Sequence, residues 1–373
     1  MHPETTIQTA KHIPQLDGLR GIAILMVMCY HFFPDNIICN FGWSGVDLFF
    51  VLSGFLITGR LLPFLDDKKI LLKFYRNRFL RIVPLYFSFL ILFFAGWFLL
   101  SSKETLDSFT FYNNHWWQFF LFVQNWTYIF NYPTIGIQLN HLWSIATEEQ
   151  FYIIFPLFVI LIKEKRKLLN TGIFFIVLIL VTRCLYYYFF IVNDEYGRIY
   201  WNTFFRMDSL FIGFIMYLLF ENKTVTNKSS LFTKIFAGPA LLILIIGILI
   251  SKTAGKNTIF VNTVGYTVIA IVYGGLLQLT LLKTNTLINY ITSLNFLKFT
   301  GRISYGIYIF HWPLFLIGFT VLNKAFAYVS FTPGNSILHT INVLICFPTT
   351  YLISYLSFNY YERYFLKRKI RLP

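Results

Sequence analysis

The sequence predicts an all-α integral membrane protein, a bundle of about ten transmembrane helices. Of its 373 residues, 57% are hydrophobic, 21% are aromatic and only 13% are charged, whereas a soluble domain carries about 25% charged residues. The apolar residues are gathered into long runs separated by short polar breaks, which is typical of helices that cross a bilayer. Composition therefore excludes an ordinary soluble domain.

Ten apolar runs are long enough to be predicted as spans. They cover residues 17–34, 44–62, 83–100, 141–162, 171–191, 203–220, 234–251, 261–282, 303–322 and 337–360. The aromatic stretch from Trp116 to Phe130 is interrupted by polar residues and is predicted to be re-entrant or interfacial. The longest segment between spans, Ser101 to Asn140, is long enough only for a small cap. We therefore expect a single domain over residues 1–373, without a fused extracytoplasmic domain.

The charge distribution predicts the orientation. The net charge is +15, and most of the 31 lysine and arginine residues fall on one side if the N-terminus is placed inside. Positive charge collects on the cytoplasmic side of membrane proteins, so both termini are expected to be cytoplasmic. This asymmetry explains the net charge without a nucleic-acid partner. The four cysteines lack CxxC spacing, so neither a disulfide framework nor a metal site is expected.

The first apolar run, LDGLRGIAILMVMCYHFF, carries two ionisable residues, Arg20 and His31. Eleven residues of α-helix place them on one face, about 16 Å apart along the axis. An ionisable group deep in a membrane helix is a functional hypothesis by default. His31 is therefore the leading candidate for chemistry.

Three arginines, Arg76, Arg78 and Arg81, precede Pro84 in the sequence FYRNRFLRIVP. Guanidinium groups bind phosphate oxygens through paired hydrogen bonds, so this cluster is a candidate phosphate site. Anchoring of the helix end at the interface is the alternative explanation.

Two carboxylates, Asp47 and Glu148, are candidate partners for a histidine. Asp47 lies near the outer end of the second predicted span, where it is expected either to orient an imidazole or to cap the helix. Glu148 lies within the apolar helix that begins HLWSIATEEQFY, and a histidine on another helix would be its natural partner. Ser53 and Gly54 are expected to permit close packing of the second span.

Two later spans carry further polar residues. In FRMDSLF, Arg206 and Asp208 are expected to pair with other helices and to hold the bundle together. In GRISYGIYIFHWPLF, His311 lies near the predicted midplane on the same face as Ser304 and Tyr308. A lone buried histidine is usually structural, but two deep histidines and a glutamate together favour chemistry.

Taken in order, LDGLRGIAILMVMCYHF, GVDLFFVLSGFLIT, RNRFLRIVP, HLWSIATEEQFY and RISYGIYIFHWPL closely resemble the acyltransferase 3 family, over about residues 10 to 365. The resemblance implies transfer of an acyl group, commonly acetyl, from cytosolic acyl-CoA to a hydroxyl of an extracytoplasmic or lipid-linked carbohydrate. It also implies a multi-pass protein of the bacterial plasma membrane among lipids, with acetyl-CoA as the donor and no permanently bound cofactor.

The resemblance assigns roles residue by residue. His31 would be the essential histidine, with Arg20 as its partner in the motif, and Arg78 and Arg81 would engage the coenzyme A phosphates. Glu148 matches the family's glutamate, although Ile145 and Thr147 depart from the usual motif. His31 would then act as a general base or carry the acyl group, with Glu148 or Asp47 fixing its tautomer.

Two readings compete with the enzyme. One is a proton-coupled transporter or lipid-glycan flippase, in which buried histidine and glutamate line a pathway. The other is a sensory or scaffold protein without chemistry. The arginine pair discriminates between them, because an acyl-CoA enzyme needs a phosphate site and a proton-coupled carrier does not.

Overall fold

The computed structural model describes residues 13–67, 69–100, 106–131, 136–191, 196–221, 232–282, 285–328 and 334–370, and its regular structure there is entirely helical. The first ten α-helices are α1 (Pro14–Phe32), α2 (Ile37–Asn40), α3 (Gly45–Leu61), α4 (Ile70–Leu100), α5 (Leu106–Phe120), α6 (Gln124–Phe130), α7 (Trp143–Ile162), α8 (Lys165–Phe190), α9 (Gly197–Tyr200) and α10 (Thr203–Glu221). They are followed by α11 (Gly238–Ser251), α12 (Tyr266–Leu282), α13 (Thr286–Ser293), α14 (Asn295–Arg302), α15 (Ser304–Tyr328), α16 (Asn335–Leu356) and α17 (Arg363–Leu366).

Short turns of other helix types extend several of these elements. Turns of 3-10 helix cover Phe41–Ser44, Leu62–Phe64 and Ile137–Leu142. Turns of π-helix cover Thr233–Ala237, Val261–Gly265 and Ser357–Glu362.

Nine helical segments of the described chain are long and apolar enough to cross a membrane: Ile37–Phe64, Ile70–Leu99, Ile137–Ile162, Lys165–Phe190, Thr203–Phe220, Thr233–Ser251, Val261–Leu282, Ser304–Tyr328 and Asn335–Leu366. They contain the second to tenth predicted spans almost completely, so the predicted helical membrane bundle is confirmed. The first predicted span forms helix α1 but is not among them, since Asp17, Arg20 and His31 lower its hydropathy. Leu19, Ala23 and Ile24 are fully buried, because α1 lies inside the bundle rather than against lipid.

Close backbone contacts hold the central helices together. A Cβ on Gly21 of α1 would lie 2.2 Å from the carbonyl oxygen of Leu297 in α14, and one on Gly54 of α3 would lie 2.0 Å from that of Leu210 in α10. Only glycine permits such approach, so the predicted packing role of Gly54 is confirmed. Ser53 has a different role, because its hydroxyl donates a hydrogen bond to Glu148.

The aromatic stretch predicted to be re-entrant or interfacial forms the end of α5 and all of α6, with a break at Phe122, where φ is 56°. Both helices are too short to span a bilayer. Gln150 of α7 ties the stretch down by donating to the Phe122 carbonyl (2.7 Å) and accepting from the Trp126 indole (3.2 Å). Residues 101–105 and 132–135 of the predicted cap lie outside the described chain.

Candidate active site

Three adjoining cavities run along the inside of the bundle. We call them the lower, middle and upper cavities, with volumes of about 990, 60 and 200 Å³. The lower and middle cavities share Arg20, Arg81 and Tyr305 in their walls, and the middle and upper cavities share Val46 and Tyr308. Arg20 and His31, at opposite ends of α1, therefore face opposite ends of one line of cavities.

The lower cavity is basic. Its wall holds four arginines from four helices, namely Arg20, Arg60, Arg81 and Arg302. Two carboxylates, Asp17 and Glu362, face the same cavity, and a carboxylate oxygen of Asp17 lies 3.8 Å from the Arg302 guanidinium. This excess of cationic groups makes the lower cavity suited to an anion with several charged oxygens.

The C-terminal segment adds a lysine to this cluster. Asn77 of α4 accepts a hydrogen bond from the backbone N–H of Ile370 and donates one to its carbonyl, both at 2.8 Å. The neighbouring Lys369 lies beyond the last membrane segment. Burial, together with the positive charge of Arg81 and Arg60, lowers the pKa of Lys369 to about 6.

The middle cavity links the two ends. Arg78 is buried in its wall, with its guanidinium carbon 4.2 Å from the centre of the Tyr152 ring. Its Nε has no hydrogen-bond partner in the part of the chain that the structure describes. Glu148 faces the same cavity and accepts hydrogen bonds from Ser53 and Tyr152. Of the adjacent glutamates, Glu148 is thus the one in the wall of this cavity.

The upper cavity combines aromatic walls with His31. The aromatic residues are Tyr30, Trp43, Trp143, Tyr200, Trp201, Tyr308 and Trp312. The Trp312 ring lies against the imidazole of His31, with centroids 4.8 Å apart and an angle of 35° between the planes. The polar side chains of the wall include His31, His141 and Lys256.

A chain of histidines stands behind His31. Nε2 of His311 lies 3.0 Å from Nδ1 of His31, and His311 is fully buried. Nδ1 of His311 lies 2.8 Å from the Tyr308 carbonyl oxygen and 3.0 Å from that of Ile307. Since a carbonyl oxygen can only accept, Nδ1 of His311 carries a proton.

This hydrogen-bond chain defines the tautomer of His31. In a neutral imidazole that carries its proton on Nδ1, Nε2 is an acceptor, so Nδ1 of His31 donates to Nε2 of His311. The lone pair of His31 is then on Nε2. No hydrogen bond to that atom occurs within the described residues, and the His31 ring lines the upper cavity. His31 thus presents a base to the cavity.

A proline explains the position of the third histidine. Pro313, inside α15, has no N–H, so the carbonyl of Ile309 lacks its usual helical donor. Nε2 of His141 lies 3.3 Å from that carbonyl oxygen and donates to it. Nδ1 of His141 is consequently an acceptor, and it has no partner among the described residues although His141 is only 3% exposed.

Asp47, Arg206 and Asp208 belong to a separate buried network. Arg206 donates to Asp47 (2.7 Å), and Arg183 of α8 donates to Asp208 (2.9 Å); all four side chains are fully buried. Each pair joins two helices, as the sequence suggested for Arg206 and Asp208. Breaking such a pair leaves a buried charge and costs about 3–5 kcal/mol.

The structure departs from the predicted site at two points. The side chain next to His31 is His311, whereas Asp47 is bound to Arg206 and Ser209, and Glu148 to Ser53 and Tyr152. The expected contact of His31 with one of these carboxylates is therefore not found. Asp47 accepts hydrogen bonds from α10, and Glu148 accepts hydrogen bonds from α3 and from its own helix, α7.

Arg76 also lies away from the site. Unlike Arg78 and Arg81, it is exposed and lines none of the three cavities. Helical spacing explains the difference, because residues two apart point in different directions.

Four residues of the site were missed from the sequence: Arg60, His141, Lys256 and Lys369. Lys256 and Lys369 lie in segments between or after spans, where a lysine is expected for topology alone. For His141, the usable signal was Pro313. Because proline has no N–H, the carbonyl of Ile309 is left free to accept a hydrogen bond from a buried side chain such as His141.

Comparison with known proteins agrees with this picture. The chain matches the acyltransferase domain family over residues 13–358. It is 29% identical over 380 residues to SACOL0978 of Staphylococcus aureus (strain COL), which is provisionally named an O-acetyltransferase, covering 98% of this chain and 59% of that protein.

Two further relatives have more specific names. The peptidoglycan O-acetyltransferase OatA of Listeria monocytogenes is 29% identical, over 85% of this chain and 52% of its own length. The O-acetyltransferase OatA of Staphylococcus aureus (strain NCTC 8325 / PS 47) is 27% identical, over 82% of this chain and 51% of its own length. The chain thus spans between half and three fifths of these relatives. No solved structure matches it.

The family match covers most of the chain, including α1 with Arg20 and His31, the arginines of α4, and α15 with His311. The order of motifs and the family match point to the same conclusion. This chain is a multi-pass membrane protein that belongs to the acyltransferase 3 family.

Proposed function

We propose that the protein is a membrane-bound O-acyltransferase that moves an acyl group, acetyl in the first instance, from acyl-CoA to a hydroxyl of a carbohydrate. The observation that carries the proposal is the line of cavities that joins an arginine cluster to His31. The names of the relatives support acetyl as the group and a carbohydrate as the acceptor.

The lower cavity would bind the donor. Arg20, Arg60 and Arg81 match the several phosphate oxygens of coenzyme A, while the acyl-carrying arm would extend along the middle cavity towards His31. Because coenzyme A is cytosolic, the lower cavity and both termini would then lie on the cytoplasmic side. The upper cavity would then open to the opposite side of the bacterial plasma membrane, where a surface or lipid-linked carbohydrate is available.

The tautomer of His31 suits the reaction. Nε2 takes the proton of the acceptor hydroxyl as its oxygen attacks the thioester carbonyl, and His311 accepts the hydrogen bond of the resulting imidazolium. Cleavage of the C–S bond releases the coenzyme A thiolate, which recovers the proton. A route through an acyl group on Nε2 would use the same lone pair, followed by attack of the hydroxyl on the acyl-imidazole.

The transporter alternative has less support. Membership of an acyltransferase family favours a group transfer, and a small middle cavity lined by Arg78 and Glu148 restricts passage of a glycan. A proton-coupled carrier would also have no use for the arginines of the lower cavity.

The proposal is tested with purified protein in liposomes, with labelled acetyl-CoA as donor. His31→Ala is expected to abolish transfer to saccharide while donor binding persists. Arg81→Gln is expected to raise the KM for acetyl-CoA about tenfold or more, since it removes a charge-assisted hydrogen bond, and to leave the KM for the acceptor unchanged.

Arg166→Gln is the matched control, because Arg166 is an exposed arginine at the same end of the bundle. It is expected to behave as wild type. Full activity of His31→Ala would contradict the role of the histidine. An unchanged KM for acetyl-CoA in Arg81→Gln would contradict the donor site.

A further inference from the structure

Lys256 is a cation in the wall of the upper cavity that the reaction itself does not require. Its ammonium nitrogen lies 4.0 Å from the centre of the Tyr200 ring and 5.3 Å from that of Tyr30. It forms no ion pair with any residue of the described chain. A half-buried lysine held only by aromatic faces remains available to a bound anion.

The loop that carries Lys256 is fixed in place. The indole of Trp43 donates to the carbonyl of Ala254 (3.0 Å), and the amide of Asn262 donates to the carbonyl of Lys256 itself (2.7 Å). Both anchors lie in the protein core, where Trp43 and Asn262 are almost fully buried. The position of Lys256 over the cavity is therefore part of the fold rather than a chance orientation of a surface side chain.

The same wall carries the candidate base. His31 lines the cavity and is the base that the proposed reaction uses, so the cavity offers a cation at Lys256 and a base at His31.

From this arrangement we infer that the acceptor carbohydrate carries an anionic group, a carboxylate or a phosphate, and that Lys256 binds it. The inference rests on the proposed function and narrows its substrate class. The aromatic walls would pack against the sugar ring, and His31 would deprotonate one of its hydroxyls. At about 200 Å³ the cavity is smaller than the usual ligand site of about 300–1,000 Å³, so it suits a single sugar residue of the acceptor.

The test measures binding separately from transfer. Dissociation constants of full-length protein in detergent are determined by ligand-observed NMR for glucuronic acid, its methyl ester, glucose 1-phosphate and glucose. Wild type is expected to bind at least one acidic sugar about tenfold more tightly than the neutral ones, as a charged hydrogen bond implies. The better acidic probe identifies the anion as carboxylate or phosphate.

Substitutions assign the effect to one residue. Lys256→Gln is expected to remove the preference for acidic sugars while binding of glucose stays the same, and Lys256→Arg is expected to retain it. Lys252→Gln is the control, since Lys252 is an exposed lysine of the same loop that does not line the cavity. It is expected to keep the wild-type preference.

Two results would overturn the inference. One is equal affinity of wild type for acidic and neutral sugars; the other is a loss in Lys256→Gln that is the same for all four probes. Failure of the proposed function would look different. In that case acetyl transfer would be absent with every acceptor and donor, while the Lys256-dependent preference in binding would still be measurable.

Discussion

His311 is predicted to be a positioning residue whose loss lowers turnover without affecting donor binding. Its Nε2 accepts the hydrogen bond of His31 at 3.0 Å, and its Nδ1 is held by two backbone carbonyls. When His31 becomes an imidazolium, that hydrogen bond comes from a charged donor and contributes about 1.5–3 kcal/mol. His311→Ala is therefore expected to reduce kcat about 10- to 150-fold.

The assay is steady-state acetyl transfer by purified protein, with the KM for acetyl-CoA measured in parallel. That KM is expected to stay within about twofold of wild type, because the donor arginines lie at the other end of the cavities. His311→Gln provides a rescue, since its amide oxygen is an acceptor and is expected to restore part of kcat. If His311→Ala left kcat within about threefold of wild type while His31→Ala abolished transfer, the histidine pair would have no catalytic significance.

Two further predictions concern the lower cavity and the packing. The pKa of Lys369 is about 6, and a bound phosphate favours the charged form of this lysine. Donor affinity should therefore fall as the pH rises from about 7 to 9, a range above the phosphate's own pKa of about 6. Lys369→Gln should flatten this pH dependence and Lys367→Gln should not; equal slopes for the two variants would contradict the role of Lys369. Gly54→Ala puts a methyl group 2.0 Å from the Leu210 carbonyl oxygen and should lower the free energy of unfolding by about 1–3 kcal/mol or more. Gly96→Ala is the control, because a methyl group there would have no neighbouring atom within 4 Å outside the local helix backbone. Equal melting temperatures of the two variants would refute the close contact at Gly54.

The spans were predictable because each one is decided locally. An apolar run of about 20 residues is specified by its own composition, and nine helices of the described chain meet that criterion. The exception, α1, also has a physical explanation. Its polar residues are tolerated because other helices, rather than lipid, surround it. How much of a helix faces lipid depends on the rest of the bundle and cannot be predicted from that helix alone.

The partner of His31 could not be predicted for the same reason. Spacing along a helix places His31 and His311 at depth, but their contact depends on which faces of α1 and α15 meet. Asp47 was a carboxylate expected to orient His31, yet Arg206, 159 residues further along the chain, donates a hydrogen bond to it. Which side chains on different helices form a hydrogen bond is determined by how the helices pack, and the sequence of any one helix says little about that.

In the proposed reaction, the histidine pair would make a carboxylate beside His31 unnecessary. An ionised carboxylate inside a bundle requires a compensating cation, as Asp47 requires Arg206. A neutral His311 fixes the same tautomer through Nε2 without bringing a charge into the site before the reaction. A charge developing on His31 in the proposed reaction would meet an acceptor already oriented by two backbone carbonyls, and such preorganisation is how a polar site stabilises a transition state. Cations line both the lower and the upper cavity, where the anionic ends of donor and acceptor would be bound.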